Sequence, residues 1–169
     1  MDVTADSTEL PEIPGDPLAL ERQVCFALSI AARSVLSVYR PLLEPMGVTH
    51  PQYLVMLALW GQSPLSVKEL GEMLQLDAPT LSPLLKRLES AGLLTRTREP
   101  TDERQLRIEL TEKGRDMRDD ALRVPPSVVA KLGMSLAELE DLHRALTGLN
   151  DAARRAGVKP LPAPAKDSV

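Results

Sequence analysis

Aromatic side chains are scarce in this chain. Its 169 residues include one Trp, two Tyr and one Phe, together 2% of the sequence. Proteins that bind RNA or single-stranded DNA stack bases on aromatic platforms, which four such residues cannot furnish. The scarcity argues against recognition of single strands, but it leaves open the reading of a duplex through its grooves.

Cysteine and histidine are equally scarce. The single cysteine, Cys25, excludes an intrachain disulfide and any cysteine cluster around zinc or iron–sulfur. With His50 and His143 as the only histidines, a histidine-rich metal centre is not expected either. We therefore expect no metal site and no cofactor.

Long apolar runs are absent as well. No stretch reaches 18 consecutive apolar residues, and the acidic N-terminus lacks the basic-then-apolar pattern of a signal peptide. The sequence therefore predicts a cytoplasmic protein without a membrane partner.

The net charge of −4 is unevenly distributed along the chain. Residues 1–24 hold six acidic side chains and one basic one, a net charge of −5, whereas residues 78–107 carry a net charge of +2. An acidic leader at 1–17 is predicted to be disordered, and a proline-rich tail at 158–169 is predicted to be flexible. The positive segment between them is a candidate for contact with nucleic acid.

Apolar spacing and capping residues predict a mainly α-helical chain. A first helix is expected from about Leu18 to Arg40, capped by Asp16 and ending near Pro41. Pro125-Pro126 should break or kink a later helix. The N-caps expected for the later helices are Thr49, Ser66, Asp77, Thr111 and Ser135.

The apolar period changes after Gly92 from that of a helix to that of a strand. Two strands are predicted on either side of residues 100–103. The order helix, helix, tight turn, helix, hairpin is typical of a winged helix-turn-helix, predicted here at 46–115. The expected fold is thus mainly α with a small β-hairpin wing, flanked by dimerisation helices at 18–45 and 116–157.

This layout predicts contact with double-stranded DNA through one helix and the wing. Thr80 and Ser82 can donate hydrogen bonds to base edges or phosphates, and an arginine at the wing can enter the minor groove. There are two alternatives to DNA binding. In one, these residues form an ordinary solvated surface; in the other, the winged helix binds a protein. The candidate DNA-binding residues are Ala78, Pro79, Thr80, Ser82, Lys86, Arg87, Arg98, Asp102 and Arg104.

Leucine-rich stripes on the flanking helices have no evident partner within a lobe of 70 residues. Pairing them with a second copy would form a twofold homodimer, with two recognition helices roughly 34 Å apart on a near-palindromic operator. The alternative is that these helices complete a monomeric core.

Five segments in this order resemble one known family: His50–Trp60, Val67–Gly71, Thr80–Glu89, Asp102–Arg104 and Leu110–Gly114. They are similar to the MarR family of repressors and, more narrowly, to its organic-hydroperoxide-resistance regulators. The resemblance implies a homodimeric repressor, not an enzyme, that releases its operator when an organic hydroperoxide oxidises an N-terminal cysteine. It assigns the reactive thiol to Cys25 and the wing aspartate and arginine to Asp102 and Arg104.

A lone cysteine on an amphipathic helix is usually a small buried hydrophobe, so Cys25 needs donors nearby to act as a sensor. Tyr39 lies fourteen residues further along the same predicted helix, about 21 Å away, and reaches a cysteine only across an antiparallel dimer. The resemblance implies that role for Tyr39. Where the family often has further tyrosines, this chain has Ser29 and His50, which are candidate donors. Tyr53 completes the candidate sensor-supporting residues.

Three alternative functions compete with the redox-sensing repressor. In the first alternative the protein is a MarR-type repressor released by a small lipophilic or phenolic ligand, and Cys25 is structural. A thiol peroxidase is disfavoured because the chain has neither a resolving cysteine nor a paired acid and base. A winged-helix adaptor for proteins would lack salt-dependent affinity for DNA.

Overall fold

The computed structural model describes residues 12, 14–99 and 102–158, without the side chains of 99 and 102–105. Most of the predicted leader and nearly all of the predicted tail therefore lie outside the described residues. Within them, the mainly α-helical fold with a small wing is confirmed. The helices are α1 (Val24–Leu43), α2 (His50–Gly61), α3 (Val67–Leu74), α4 (Ala78–Ser90), α5 (Glu112–Ala121), α6 (Val124–Leu132) and α7 (Leu136–Arg155), and the strands are β1 (Leu65–Ser66), β2 (Leu94–Glu99) and β3 (Asp102–Leu110).

The chain divides into two compact units, the first ending at Leu36 and the second beginning at Ser37. The first contains a 3-10 turn at Leu20–Arg22 and the N-terminal part of α1. The second contains the rest of α1 and all later elements.

Helix α1 differs from its sequence prediction at both ends. It begins at Val24 instead of Leu18, because the preceding residues form the 3-10 turn, and Asp16 accepts a hydrogen bond from the Leu18 backbone before that turn. It runs through Pro41 to Leu43 instead of ending before the proline. Proline removes one helical hydrogen bond, but Leu43, two residues further on, is 1% exposed in the core, and its burial offsets part of that loss.

By length and composition alone, the segment Val24–Met46 would suffice to cross a membrane. Its side chains are mostly exposed, and the same test is passed by helices that do not span a membrane. One such helix does not establish a membrane protein.

The core of the second unit is built on the buried face of α4. Leu81, Leu85 and Leu88 are each at most 1% exposed, as are Leu70 of α3 and Ile108 of β3. Full burial of a leucine contributes about 1.5–3 kcal/mol relative to exposure, so these side chains fix how α3, α4 and the sheet pack together.

The three strands form an antiparallel sheet in the order β1-β3-β2. Leu94 pairs with Leu110 and Arg96 with Ile108, as the predicted hairpin requires. The two-residue strand β1 was not predicted; it pairs Leu65 with Ile108 across a long separation in sequence.

The five later N-caps fall at the predicted residues. Thr49, Ser66 and Ser135 form capping boxes, and Asp77 and Thr111 accept hydrogen bonds from the backbone amides of Thr80 and Gly114. The predicted break at the proline pair is also confirmed. Helix α5 ends at Ala121, and both prolines lie in the first turn of α6, where a missing N–H is tolerated.

Gly114 lies where the first turn of α5 presses against the end of the α4–β2 turn. A Cβ atom at this position would come within 2.0 Å of the Leu93 carbonyl oxygen and 3.0 Å of its carbon. Because those atoms are backbone, they cannot move aside as a flexible side chain would. Only glycine allows α5 to begin at this distance from Leu93.

We predict that Gly114→Ala lowers the free energy of unfolding by about 1–3 kcal/mol, since the added methyl overpacks the contact with Leu93. Urea denaturation of the reduced protein measures the change. Gly61→Ala is the matched control, because a Cβ there meets nothing within 4 Å. Equal stability of the two variants would contradict the close contact.

Candidate nucleic-acid interface and sensor residues

The exposed side of α4 is a continuous surface opposite its buried leucines. With 100° per residue, its solvent-facing positions span about 160° of the helix circumference. Ser82, Lys86 and Arg87 are exposed within this arc, and Pro79 belongs to it as well, while Thr80 is half-buried at its edge. Ala78, the first residue of the helix, is exposed beside the arc.

Two exposed residues of this arc were missed by the sequence prediction. Pro83 and Ser90 lie between the predicted contact residues, and both are exposed. The Ser90 hydroxyl donates a hydrogen bond to the Lys86 carbonyl oxygen at 2.9 Å. Pro83 is three residues before Lys86 and Ser90 is four residues after it, so the helical period alone would have placed both on the same face as Lys86.

The start of α4 is held by a charged cap. The Asp77 carboxylate accepts a hydrogen bond from the Thr80 amide at 2.9 Å, and hydrogen bonding to the side chain and the amide of Thr80 lowers the pKa of Asp77. A carboxylate at a helix N-terminus also interacts favourably with the helix dipole. The cap fixes the first turn of α4, which carries Ala78, Pro79 and Thr80.

An ion pair joins α4 to strand β2 of the wing. Arg96 of β2 donates through Nε to Glu89 of α4 at 2.8 Å and also contacts it through Nη2. This bond lowers the pKa of Glu89. Arg96 compensates the charge of the ionised Glu89, so the positive charges of the exposed Lys86 and Arg87 dominate the outer face of α4.

The wing places Arg98 opposite Leu106 on the paired strands, with its side chain exposed. Asp102 and Arg104 lie on the backbone of β3, but their side chains are outside the described residues. Their assignment as DNA contacts stays a prediction.

Cys25 is exposed and is the second residue of α1. Because α1 begins at Val24 and not at Leu18 as predicted, this thiol lies in the first turn of the helix. The Ser29 hydroxyl donates to the Cys25 carbonyl oxygen at 2.8 Å. Its role as a donor to the thiol stays a prediction.

The other three sensor-supporting candidates form an aromatic cluster with the single tryptophan. The ring centroids are 4.9 Å apart for Tyr39 and His50, 6.1 Å for Tyr39 and Tyr53, and 6.3 Å for Tyr53 and Trp60. Burial lowers the pKa of half-buried His50, so the neutral ring is favoured. Burial and the neighbouring Tyr39 raise the pKa of Tyr53.

Beside this cluster is a cavity of about 300 Å³ lined by α2, α5 and the start of α6. Tyr53, Leu57 and Trp60 form its apolar and aromatic wall, and Arg118 provides a positive charge. Across the described part of the chain, no group of three His, Cys, Asp or Glu side chains could hold a metal ion.

A basic, exposed helix joined to a small wing defines a DNA-binding protein of the winged helix-turn-helix class. The MarR family model matches residues 48–106. The chain is 42% identical to the organic hydroperoxide resistance transcriptional regulator of Bacillus subtilis, over 79% of this chain and 89% of that protein. It is 46% identical to the HTH-type transcriptional regulator TtmR of Methylorubrum extorquens, over 88% and 76% of the two chains.

The fold also matches that of a protein whose structure was solved bound to DNA. Reduced AbfR of Staphylococcus epidermidis bound to DNA superposes with a TM-score of 0.72 at 31% identity, covering 81% of this chain and 94% of that one. The chain belongs to the MarR family. It is a DNA-binding transcriptional regulator and not an enzyme.

We predict that Arg98→Ala weakens operator binding and lowers the slope of log K against log salt concentration by about 1, the value for one phosphate charge no longer neutralised. Fluorescence anisotropy with labelled operator at several salt concentrations measures both. Arg123→Ala removes the same charge outside the wing and should leave the slope unchanged. An unchanged slope in Arg98→Ala would remove this arginine from the interface.

Proposed function

We propose that the protein is a dimeric, cytoplasmic repressor that leaves its operator when an organic hydroperoxide oxidises Cys25. The observation that carries this proposal is an exposed thiol, the only one in the chain, in the first turn of a helix. The similarity to a hydroperoxide resistance regulator supports the same chemistry.

Exposed apolar side chains on α1 and α7 support the dimer. On α1, Val24 is 64% exposed and Leu36 is 42% exposed, and on α7, Leu136 is 67% exposed and Leu142 is 46% exposed. Apolar stripes on long helices favour burial against another chain, and a second copy provides a self-complementary surface. The apolar character of α1 then reflects a subunit interface and not a membrane span.

An antiparallel arrangement of two α1 helices would bring Tyr39 of one subunit to Cys25 of the other. The Tyr39 hydroxyl could then donate a hydrogen bond to the thiolate, and His50 and Tyr53 would hold the Tyr39 ring from α2. The sensor would therefore be complete only in the dimer.

The reaction begins with attack of the Cys25 thiolate on the terminal oxygen of the hydroperoxide. The O–O bond breaks, the sulfur is oxidised to a sulfenic acid, and the alkoxide leaves and takes up a proton to become an alcohol. A small thiol can then condense with the sulfenic acid, forming a mixed disulfide and releasing water. The chain contains no second cysteine to form an intrachain bond.

In operator binding, α4 would be the recognition helix in the major groove, and the wing would contact the flanking DNA phosphates. The side chains toward the DNA would be those of Ser82, Thr80, Lys86 and Arg87. The dimer would present two such helices to a near-palindromic site. Repression follows if that site overlaps a promoter.

We predict that organic hydroperoxide lowers operator affinity of the wild-type protein about tenfold or more, within the usual range of allosteric coupling. Cys25→Ser should remain bound, because serine cannot be oxidised to a sulfenic acid. A gel-shift titration with and without cumene hydroperoxide measures both proteins. Equal release of the two would exclude Cys25 as the sensor.

A second function is favoured by the cavity beside Trp60. Its aromatic walls and Arg118 are suited to a small phenolic or lipophilic molecule that carries a carboxylate. In that case the ligand would release the operator, and Cys25 would be structural.

We predict that a cavity ligand such as 4-hydroxybenzoate binds Cys25→Ser as well as wild type in calorimetry. Arg118→Ala should weaken this binding about tenfold, since it removes a charge-assisted hydrogen bond. Ligand-dependent release in Cys25→Ser, with no release by peroxide in wild type, would favour this function over oxidation. An absence of measurable heat would exclude it for this probe.

A further inference from the structure

We infer that Trp60 is a positioning residue that couples the state of the sensor to the end of the recognition helix. The inference rests on the proposed redox function and assigns a role to the one aromatic side chain of the cluster that the sensor itself does not use. It follows from a continuous series of contacts within the second unit of the chain.

The first part of this series is made of rings. Tyr39 on α1 contacts both His50 and Tyr53 of α2, and Tyr53 contacts Trp60 two turns further along the same helix. Tyr53 is 3% exposed, and its ring lies between the rings of Tyr39 and Trp60 and contacts both. A displacement of Tyr39 would therefore be passed to α2 and to the indole at its C-terminal end.

The second part is a single hydrogen bond to α5. The indole Nε1 of Trp60 donates to the Gly114 carbonyl oxygen at 2.8 Å. Of the twenty amino acids only tryptophan supplies an indole N–H, and no other tryptophan exists in the chain. This bond sets the position of α2 against the first turn of α5.

The third part connects α5 to the turn that follows the recognition helix. The Thr111 amide donates to the Leu93 carbonyl at 3.1 Å, and the Thr111 hydroxyl donates to the Gly92 carbonyl at 2.7 Å. The Lys113 ammonium donates to the Ala91 carbonyl at 2.8 Å. The first turn of α5 is thus bonded to three consecutive residues between α4 and β2.

The close approach of Gly114 to Leu93 makes this junction rigid. Because the backbones are already in contact there, a shift of Trp60 is transmitted to the α4–β2 turn and is not absorbed by a gap. The end of the recognition helix and the first residue of the wing move together with α5. Coupling by this route needs no contact between Trp60 and DNA.

The test compares operator affinity in the reduced and oxidised states. Trp60→Phe keeps a ring against Tyr53 but removes the N–H donor. We expect its reduced form to bind the operator within about threefold of wild type, while the ratio of oxidised to reduced Kd falls toward one by about twofold or more. Gln62→Ala is the matched control, since this exposed residue follows the same helix without joining the ring series.

The measured ratios of oxidised to reduced Kd distinguish a coupling role of Trp60 from a structural role and from failure of the redox proposal. A wild-type ratio in Trp60→Phe overturns the inference, and so does equal weakening of both states, which would indicate a structural role alone. A ratio near one in the wild-type protein contradicts the redox proposal itself, and the inference falls with it.

A second measurement requires no substitution at Trp60. As the only tryptophan, it reports its own surroundings, so oxidation should change the fluorescence emission of the wild-type protein and leave that of Cys25→Ser unchanged. Release of the operator by oxidation without any change in emission would overturn the inference even if Trp60→Phe failed to fold.

Discussion

The contact between the first turn of α5 and the Leu93 backbone is the constraint on which the DNA-binding lobe depends. Gly114 permits the approach, and Thr111 caps α5 while bonding to the Gly92 and Leu93 carbonyls. The same few residues therefore end β3, begin α5 and hold the turn between α4 and β2. The position of the wing relative to the recognition helix follows from this junction and from the Glu89–Arg96 ion pair.

Features that depend on neighbours in sequence could be predicted. A capping side chain bonds to an amide two or three residues away, so Thr49, Ser66, Asp77, Thr111 and Ser135 mark helix starts without knowledge of the fold. The hairpin and the proline break are local in the same sense. The family resemblance also rested on short continuous segments of sequence, and the relatives confirmed it.

Features that join distant parts of the chain could not be predicted. Strand β1 exists because Leu65 meets Ile108, and the bond from Trp60 to Gly114 spans 54 residues. The ion pair between Arg96 of β2 and Glu89 of α4 likewise joins two different elements. The prediction for helix α1 was wrong at both ends: Asp16 bonds to the Leu18 amide ahead of the 3-10 turn and does not cap the helix, and the helix continues past Pro41 to the buried Leu43. That shift of the helix start is what places Cys25 in the first turn.

The solitary cysteine also determines how an oxidised subunit would recover. A protein with two thiols can resolve a sulfenic acid internally, at a rate that its own geometry sets. Under the proposed redox function, this chain has one thiol, so its oxidised form would be reduced by a thiol from outside the chain. The lifetime of that form would then depend on the concentration and redox state of the surrounding thiols. The protein would thus register both the arrival of an oxidant and the capacity of its surroundings to remove one.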